Sequence, residues 1–297
     1  MLLTLLTVPI YLAAAGRYGY RMFIALAISV LIGYLSEKAG ARIRGKSVSC
    51  LGYPAWFLFP LVLPPAFPLW MLAATVFFGV VAGVVFFGGH GRQLAAPVAV
   101  GWTFASLSYP AAFGFGWAFP FTDTVAGFTR YSAAVPSIDH PIVYLSDRVD
   151  VTVTELLAGH FPQTPGNALP ILLIACGLLL WILRAVDVRG SFAFLGTVTI
   201  LSVVFYAIMP EIFPSPKSLL VGNLLFASFF IYSDTRVSPR TKQGRCVTGV
   251  LTGITAFIIR ALSDFPCGVF YAVLFGNVFS PILDEWMLHA KYGRKKA

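Results

Sequence analysis

Ten apolar runs, separated by polar breaks, constrain what this chain can fold into. They cover about residues 2–16, 20–36, 51–65, 69–88, 96–118, 167–184, 191–209, 218–233, 247–263 and 267–284. In hydrocarbon every backbone N–H and C=O must be satisfied within the protein, so runs of this kind cross a bilayer as helices. A full crossing takes about 20 residues. Several runs are shorter, and short or proline-interrupted segments are tolerated only where the freed backbone is buried in protein or lines a wet cavity. Charged residues make up 11% of the chain, against about 25% in soluble domains. The sequence therefore predicts an all-α polytopic membrane protein with about ten transmembrane segments. The first run ends in Ala13-Ala-Ala-Gly16 but has no Lys or Arg ahead of it, which a signal peptide would carry. It reads as the first span.

Basic residues set the expected orientation. With the N-terminus in the cytoplasm, the inside loops hold 15 of the 21 Lys and Arg residues. The outside holds six: Arg17, Arg21, Arg130, Arg148, Lys217 and Arg260. Both termini are thus expected in the cytoplasm, with the tail from Lys291 to Lys296 as an inside anchor against the lipid surface. The net charge of +9 reports topology here. No basic stripe with interleaved aromatics indicates nucleic acid.

The chain divides into a first membrane repeat, 1–118, an extracytoplasmic polar loop, 119–165, and a second membrane repeat with its basic tail, 166–297. The loop carries Asp123, Asp139, Asp147, Asp150 and Glu155, five of twelve acids. Two short runs end in comparable places. Leu63-Pro-Pro-Ala-Phe-Pro68 closes the third and Ser233-Asp-Thr-Arg-Val-Ser-Pro239 the eighth. Paired broken segments point to two inverted five-helix repeats with a site between them. Cys50, Cys176, Cys246 and Cys267 are far apart, as are the four histidines, so no metal site is expected.

Within the loop, Asp123-Thr-Val-Ala-Gly-Phe-Thr129 resembles the flavin-attachment segment of the RnfD/NqrB family. There an Asp lies six residues before a Thr that carries FMN through a phosphoester. The family's usual core is Ser/Thr-Gly-Ala-Thr; here it is Ala126-Gly127-Phe128-Thr129. The second half resembles the family more fully, at Phe226, Asp234, Ser238-Pro239, Gly244, Gly249, Gly253, Arg260, Pro266, Gly268, Asn277, Pro281 and Asp284. The first half adds Leu63 to Trp70 and Phe87-Gly-Gly-His-Gly91. Gly159 to Gly166 is similar to a further family segment, with Asn167 in place of its Glu.

The resemblance implies a membrane subunit of an Rnf-type electron transport complex in a bacterial or archaeal cytoplasmic membrane. Such a complex couples ferredoxin/NAD redox to Na⁺ or H⁺ movement. It implies covalent FMN on Thr129, with Asp123 and Gly127 in the recognised segment. Arg130 stands where the family commonly has proline, and as a cation it is a candidate partner for the FMN phosphate. A flavinyl-transferring enzyme and other membrane and peripheral subunits are implied partners. A second, non-covalent flavin or riboflavin is implied in the membrane part. An unmodified surface threonine in a divergent segment is the other reading of Thr129.

Polar side chains deep in a bilayer usually face a cavity or a partner. Asn223, Asp234, Asn277 and Asp284 are candidates for an ion path or a second flavin; for Asp284 placement at a helix end is the alternative. Two further functions fit the same architecture: a channel or transporter for a small polar solute, and a flavin-free scaffold subunit.

Overall fold

A computed structural model describes residues 2–45, 55–89, 92–121, 145, 151–183, 186, 188–210, 213, 215–234, 236–262 and 268–292. Asp123, Gly127, Thr129 and Arg130 lie outside them. The described residues are built from helices. In order they are α1 (Leu2–Tyr18), α2 (Arg21–Ile43), α3 (Ala55–Val62), α4 (Leu69–Val80), α5 (Pro97–Ser108), α6 (Pro110–Phe115), α7 (Val153–Leu157), α8 (Pro170–Ile182), α9 (Val188–Ile208), α10 (Leu224–Phe226), α11 (Lys242–Leu262) and α12 (Val269–Tyr292). At 1.5 Å per residue, α2, α9 and α11 are each at least about 30 Å long. These three are long and apolar enough to cross a membrane. The fold is all-helical and polytopic.

Where helices stop or continue has local causes. The second run continues past residue 36 to Ile43, and its adjacent charges Glu37 and Lys38 find separate places. Glu37 turns inward, and its Oε1 accepts the Trp56 indole N–H at 2.9 Å. Lys38 sits over the Tyr34 ring, 5.5 Å from its centre. The fifth run is cut in two. Tyr109 precedes Pro110, leaves the helical region at φ −129°, ψ 55°, as a residue before proline tends to, and α6 restarts on the proline.

Each half contains one broken crossing. α3 is only eight residues long and runs into Leu63-Pro64-Pro65, where the prolines have no N–H to extend a ladder; α4 then starts after Pro68. In the second half a 3₁₀ turn, Pro216–Leu220, leads to the three-residue α10 and a π turn, Ala227–Ile231. A second π turn, Val81–Val85, ends α4. Single π turns are frequent at functional sites.

The two halves share one core. Trp102 of α5 packs on Phe270 and Tyr271 of α12, with ring centres 4.9 and 5.6 Å apart. Ser106 Oγ and Tyr271 OH share a hydrogen bond of 2.7 Å.

Candidate functional site

The loop that carries Asp123 to Thr129 is held at both of its ends by α1, which finishes in Arg17-Tyr18. The Arg17 guanidinium donates to Phe121 O at 3.2 Å and to Ala158 O at 2.9 Å. Phe121 N returns a bond to Arg17 O at 2.8 Å. The Tyr18 hydroxyl donates to Gln163 O at 2.8 Å and accepts from Gln163 N at 3.2 Å.

Just before Ala158 lies α7, a single capped turn. Thr152 and Glu155 form a capping box, which satisfies donors at the helix start reciprocally. The Thr152 backbone N–H and hydroxyl hold the Glu155 carboxyl below its usual range. At the other end His160 N bonds to Glu155 O and Gly159 N to Leu156 O. This is a Schellman ending with glycine in the left-handed region, φ +71°.

Beyond Gly159 the chain does not stay in solvent. Gln163, Thr164 and Asn167 are fully buried. They form a strap wedged between the two broken crossings. Thr164 Oγ1 donates to Asn223 Oδ1 at 2.8 Å, and Asn223 Nδ2 donates to Val62 O, the last carbonyl of α3, at 3.0 Å. Asn167 Nδ2 donates to Leu220 O at 2.8 Å and to Gly222 O at 3.1 Å, and its side chain lies against that of Gln163. A Cβ on Gly166 would lie 2.7 Å from the Phe226 ring and 2.8 Å from Leu61 O, so the strap touches both broken segments where only glycine fits. The end of the loop, from Phe161 to Pro165, is therefore built into the helical core.

Carbonyls left over by the irregular backbone go to cations. Arg21 donates to Ala66 O at 3.2 Å and Phe67 O at 2.6 Å. Arg260 donates to Ser218 O at 2.7 Å, and Lys217 to Val151 O at 2.9 Å. Of the six basic residues expected outside, these three and Arg17 each serve a backbone carbonyl.

The structure separates Asn223 from the other intramembrane candidates. Asn223 makes its bonds at the strap. Asp234 and Asp284 meet the chain that follows the π turn Ala227–Ile231, and Asn277 stands on α12 two turns before Asp284. Asp234 Oδ1 accepts from Arg236 N at 3.0 Å. Asn277, Ser280 and Asp284 lie on one face of α12 by their spacing; Ser280 Oγ donates to Val237 O at 3.1 Å. The Asp284 carboxylate accepts from Arg240 N (3.0 Å), Thr241 N (2.9 Å) and Thr241 Oγ1 (2.6 Å). It sits at the first turn of α11, where a negative charge complements the helix dipole. Asp284 itself is not at a helix end, since α12 runs on to Tyr292; it caps a different helix. Asn277 is buried, and its Nδ2 has no hydrogen-bond partner among the described residues.

A family model, described as the NQR2, RnfD, RnfE family, matches residues 1–293. The chain belongs to this family. It is 29% identical over 278 residues to a subunit of the Na(+)-translocating NADH-quinone reductase of Ectopseudomonas mendocina, covering 91% of this chain and 68% of that one. It is 28% identical over 331 residues to a subunit of the ion-translocating oxidoreductase complex of Tolumonas auensis, covering 99% and 94%. The similarity to the Tolumonas protein thus runs the length of both chains.

The sequence pattern did not mark the strap donors Gln163, Thr164 and Asn167, the α1 residues Arg17 and Tyr18, or Glu37 as site residues. The strap donors fall in or beside the family-like stretch from Gly159 to Gly166, so a signal was present there. The contacts of Arg17 and Tyr18 span more than 100 residues of sequence and leave no local pattern.

Asn223 offers a direct test of the junction. Asn223→Leu removes the donor to Val62 O and the acceptor for Thr164. Stranding a buried carbonyl costs about 1–3 kcal/mol, and measured values inside membranes fall toward about 0.6 kcal/mol per bond. A loss of about 2 kcal/mol is expected, read as a lower midpoint of denaturation in detergent. An unchanged midpoint would show that the junction contributes nothing to stability.

Proposed function

We propose that this chain is a membrane subunit of an ion-translocating oxidoreductase complex, that it carries FMN on Thr129, and that it relays electrons within the complex. The observation that carries this reading is the family match over residues 1–293 together with the Asp123-to-Thr129 spacing in the one long polar loop. Both named relatives are subunits of ion-translocating redox systems. When bound, the flavin supplies one-electron chemistry, and a covalent link keeps it from being lost. The chain's own residues supply placement. Thr129 offers the hydroxyl, Gly127 allows close backbone approach, Asp123 belongs to the recognised segment, and Arg130 is a cation for the phosphate.

A second, non-covalent flavin in the membrane part is a further element of the proposal. The buried amide N–H group of Asn277, unpartnered among the described residues, is a donor suited to a ring carbonyl. Other subunits are implied partners, as is a flavinyl-transferring enzyme. The inverted repeat is supported by the two broken crossings, and N-in, C-in orientation by the basic residues. Arg17, Arg21, Lys217 and Arg260, which run against that bias, each serve a backbone carbonyl.

The channel reading is disfavoured at one place. A passage between the repeats would run through the junction of the broken crossings, and Thr164, Asn167 and Asn223 fill it with no exposure.

Gel fluorescence tests the covalent flavin. The protein is made in cells that contain the flavinyl-transferring enzyme, denatured, and viewed under ultraviolet light on a gel. A fluorescent band at the intact mass is expected, and a dark one would refute the covalent flavin. A tag inserted near Ser137 should be labelled from outside intact cells; labelling only after permeabilisation would reverse the orientation.

A further inference from the structure

We propose that Arg17 is a positioning residue that clasps the start and the end of the loop and so helps to position the group borne by that loop. The two carbonyls it binds, Phe121 O and Ala158 O, belong to residues on either side of the segment that holds Asp123 and Thr129. A guanidinium can hold two acceptors at once in a fixed fork; an ammonium is a single point charge. Arg17 is 6% exposed, so the bonds form away from bulk water, where they are stronger. The clasp is fixed from below and from the side. Below it, Arg17 stands on the last turn of α1, and its own carbonyl takes Phe121 N. At the side, the Schellman ending of α7 frees the Ala158 carbonyl to face outward, and Tyr18 grips Gln163 through two bonds. Two adjacent residues of one helix thus hold the loop at three points.

Electron transfer falls steeply with distance, so the position of a tethered cofactor decides its rate. In that respect the proposal rests on the flavin reading above; the clasp itself does not, and the test separates the two. In a cysteine-free background, Phe121→Cys and Ala158→Cys are combined and treated with a short bifunctional thiol reagent. Cross-linking is expected to be efficient with Arg17, to fall severalfold in Arg17→Gln, and to be intermediate in Arg17→Lys, which keeps the charge and loses the fork. In the assembled complex, Arg17→Gln is expected to keep full flavin fluorescence on the gel while reduction of that flavin slows severalfold, as a released loop holds the flavin farther on average from its electron partner. The thiol cross-link should restore the rate. Rescue by a link that replaces only the geometry is something a general loss of stability would not show.

If both variants cross-link and reduce flavin like the parent, the clasp is refuted. If Arg17→Gln fails to accumulate in the membrane, Arg17→Lys decides by the same two readouts. A dark parent band refutes the flavin reading alone, and the cross-linking comparison still decides the clasp.

Discussion

Thr129→Ala is expected to give an intact protein whose denatured band shows no flavin fluorescence, and a complex whose electron transfer falls to background. The reason is chemical. A phosphoester needs a hydroxyl oxygen, and alanine keeps the side chain's Cβ while removing that oxygen. Two other threonines, Thr122 and Thr124, lie close by. Neither has a glycine two residues ahead, as Thr129 has in Gly127, so neither is expected to take over. Thr129→Ser keeps a hydroxyl and should keep fluorescence, which separates loss of the linkage from damage to the segment. The effect of Thr129→Ala should be all-or-none in fluorescence with little change in the amount of protein in the membrane. A Thr129→Ala band as bright as the parent would move the attachment elsewhere in the chain. A bright Thr129→Ala band that darkens with Thr124→Ala would name the site.

The fold was legible because bilayer physics leaves few choices. Ten apolar runs, two of them short and closed by proline, were enough to predict an all-helical chain with broken crossings, and α3 and α10 are the broken pieces. The errors were at polar positions inside helices. Residues 36–38 looked like a helix end because they are polar, yet Glu37 and Lys38 satisfy themselves against Trp56 and Tyr34, so α2 runs on. The loop's exit looked solvated for the same reason. Asn167 is polar because its amide feeds the Leu220 and Gly222 carbonyls of a broken helix, and Thr164 because its hydroxyl feeds the Asn223 side chain; those partners lie more than 50 residues away. Asn223 was singled out from its depth in an apolar run, a local signal. Separating it from Asp234, Asn277 and Asp284 was beyond the sequence, because nothing local says which side of a broken crossing each residue faces. Asp284 shows the same limit. The tenth apolar run stops at 284, yet α12 runs on to Tyr292, and the partners Arg240 and Thr241 left no local signal.

Gly159→Ala should be the most destabilising single-methyl change in the strap. Two independent penalties meet at this residue. Its φ of +71° costs an L-residue roughly 1–2 kcal/mol. Its added Cβ would also collide with the Ala168 carbonyl oxygen and stand 3.1 Å from the Ala168 carbonyl carbon. Backbone cannot swing aside as a side-chain tip can, and overpacking of this kind costs about 1–3 kcal/mol. Together they predict a loss of about 2–5 kcal/mol, seen as a lower thermal midpoint of the detergent-solubilised protein. The loss should reach the loop as well, since the same turn ends α7 and presents Ala158 O to Arg17. Gly114 is the matched control. It lies in α6, has no neighbour within 4 Å of an added Cβ, and takes no left-handed conformation, so Gly114→Ala should be neutral or stabilising by about 0.5–1 kcal/mol. If both variants melt together with the parent, Gly159 does not hold the strap.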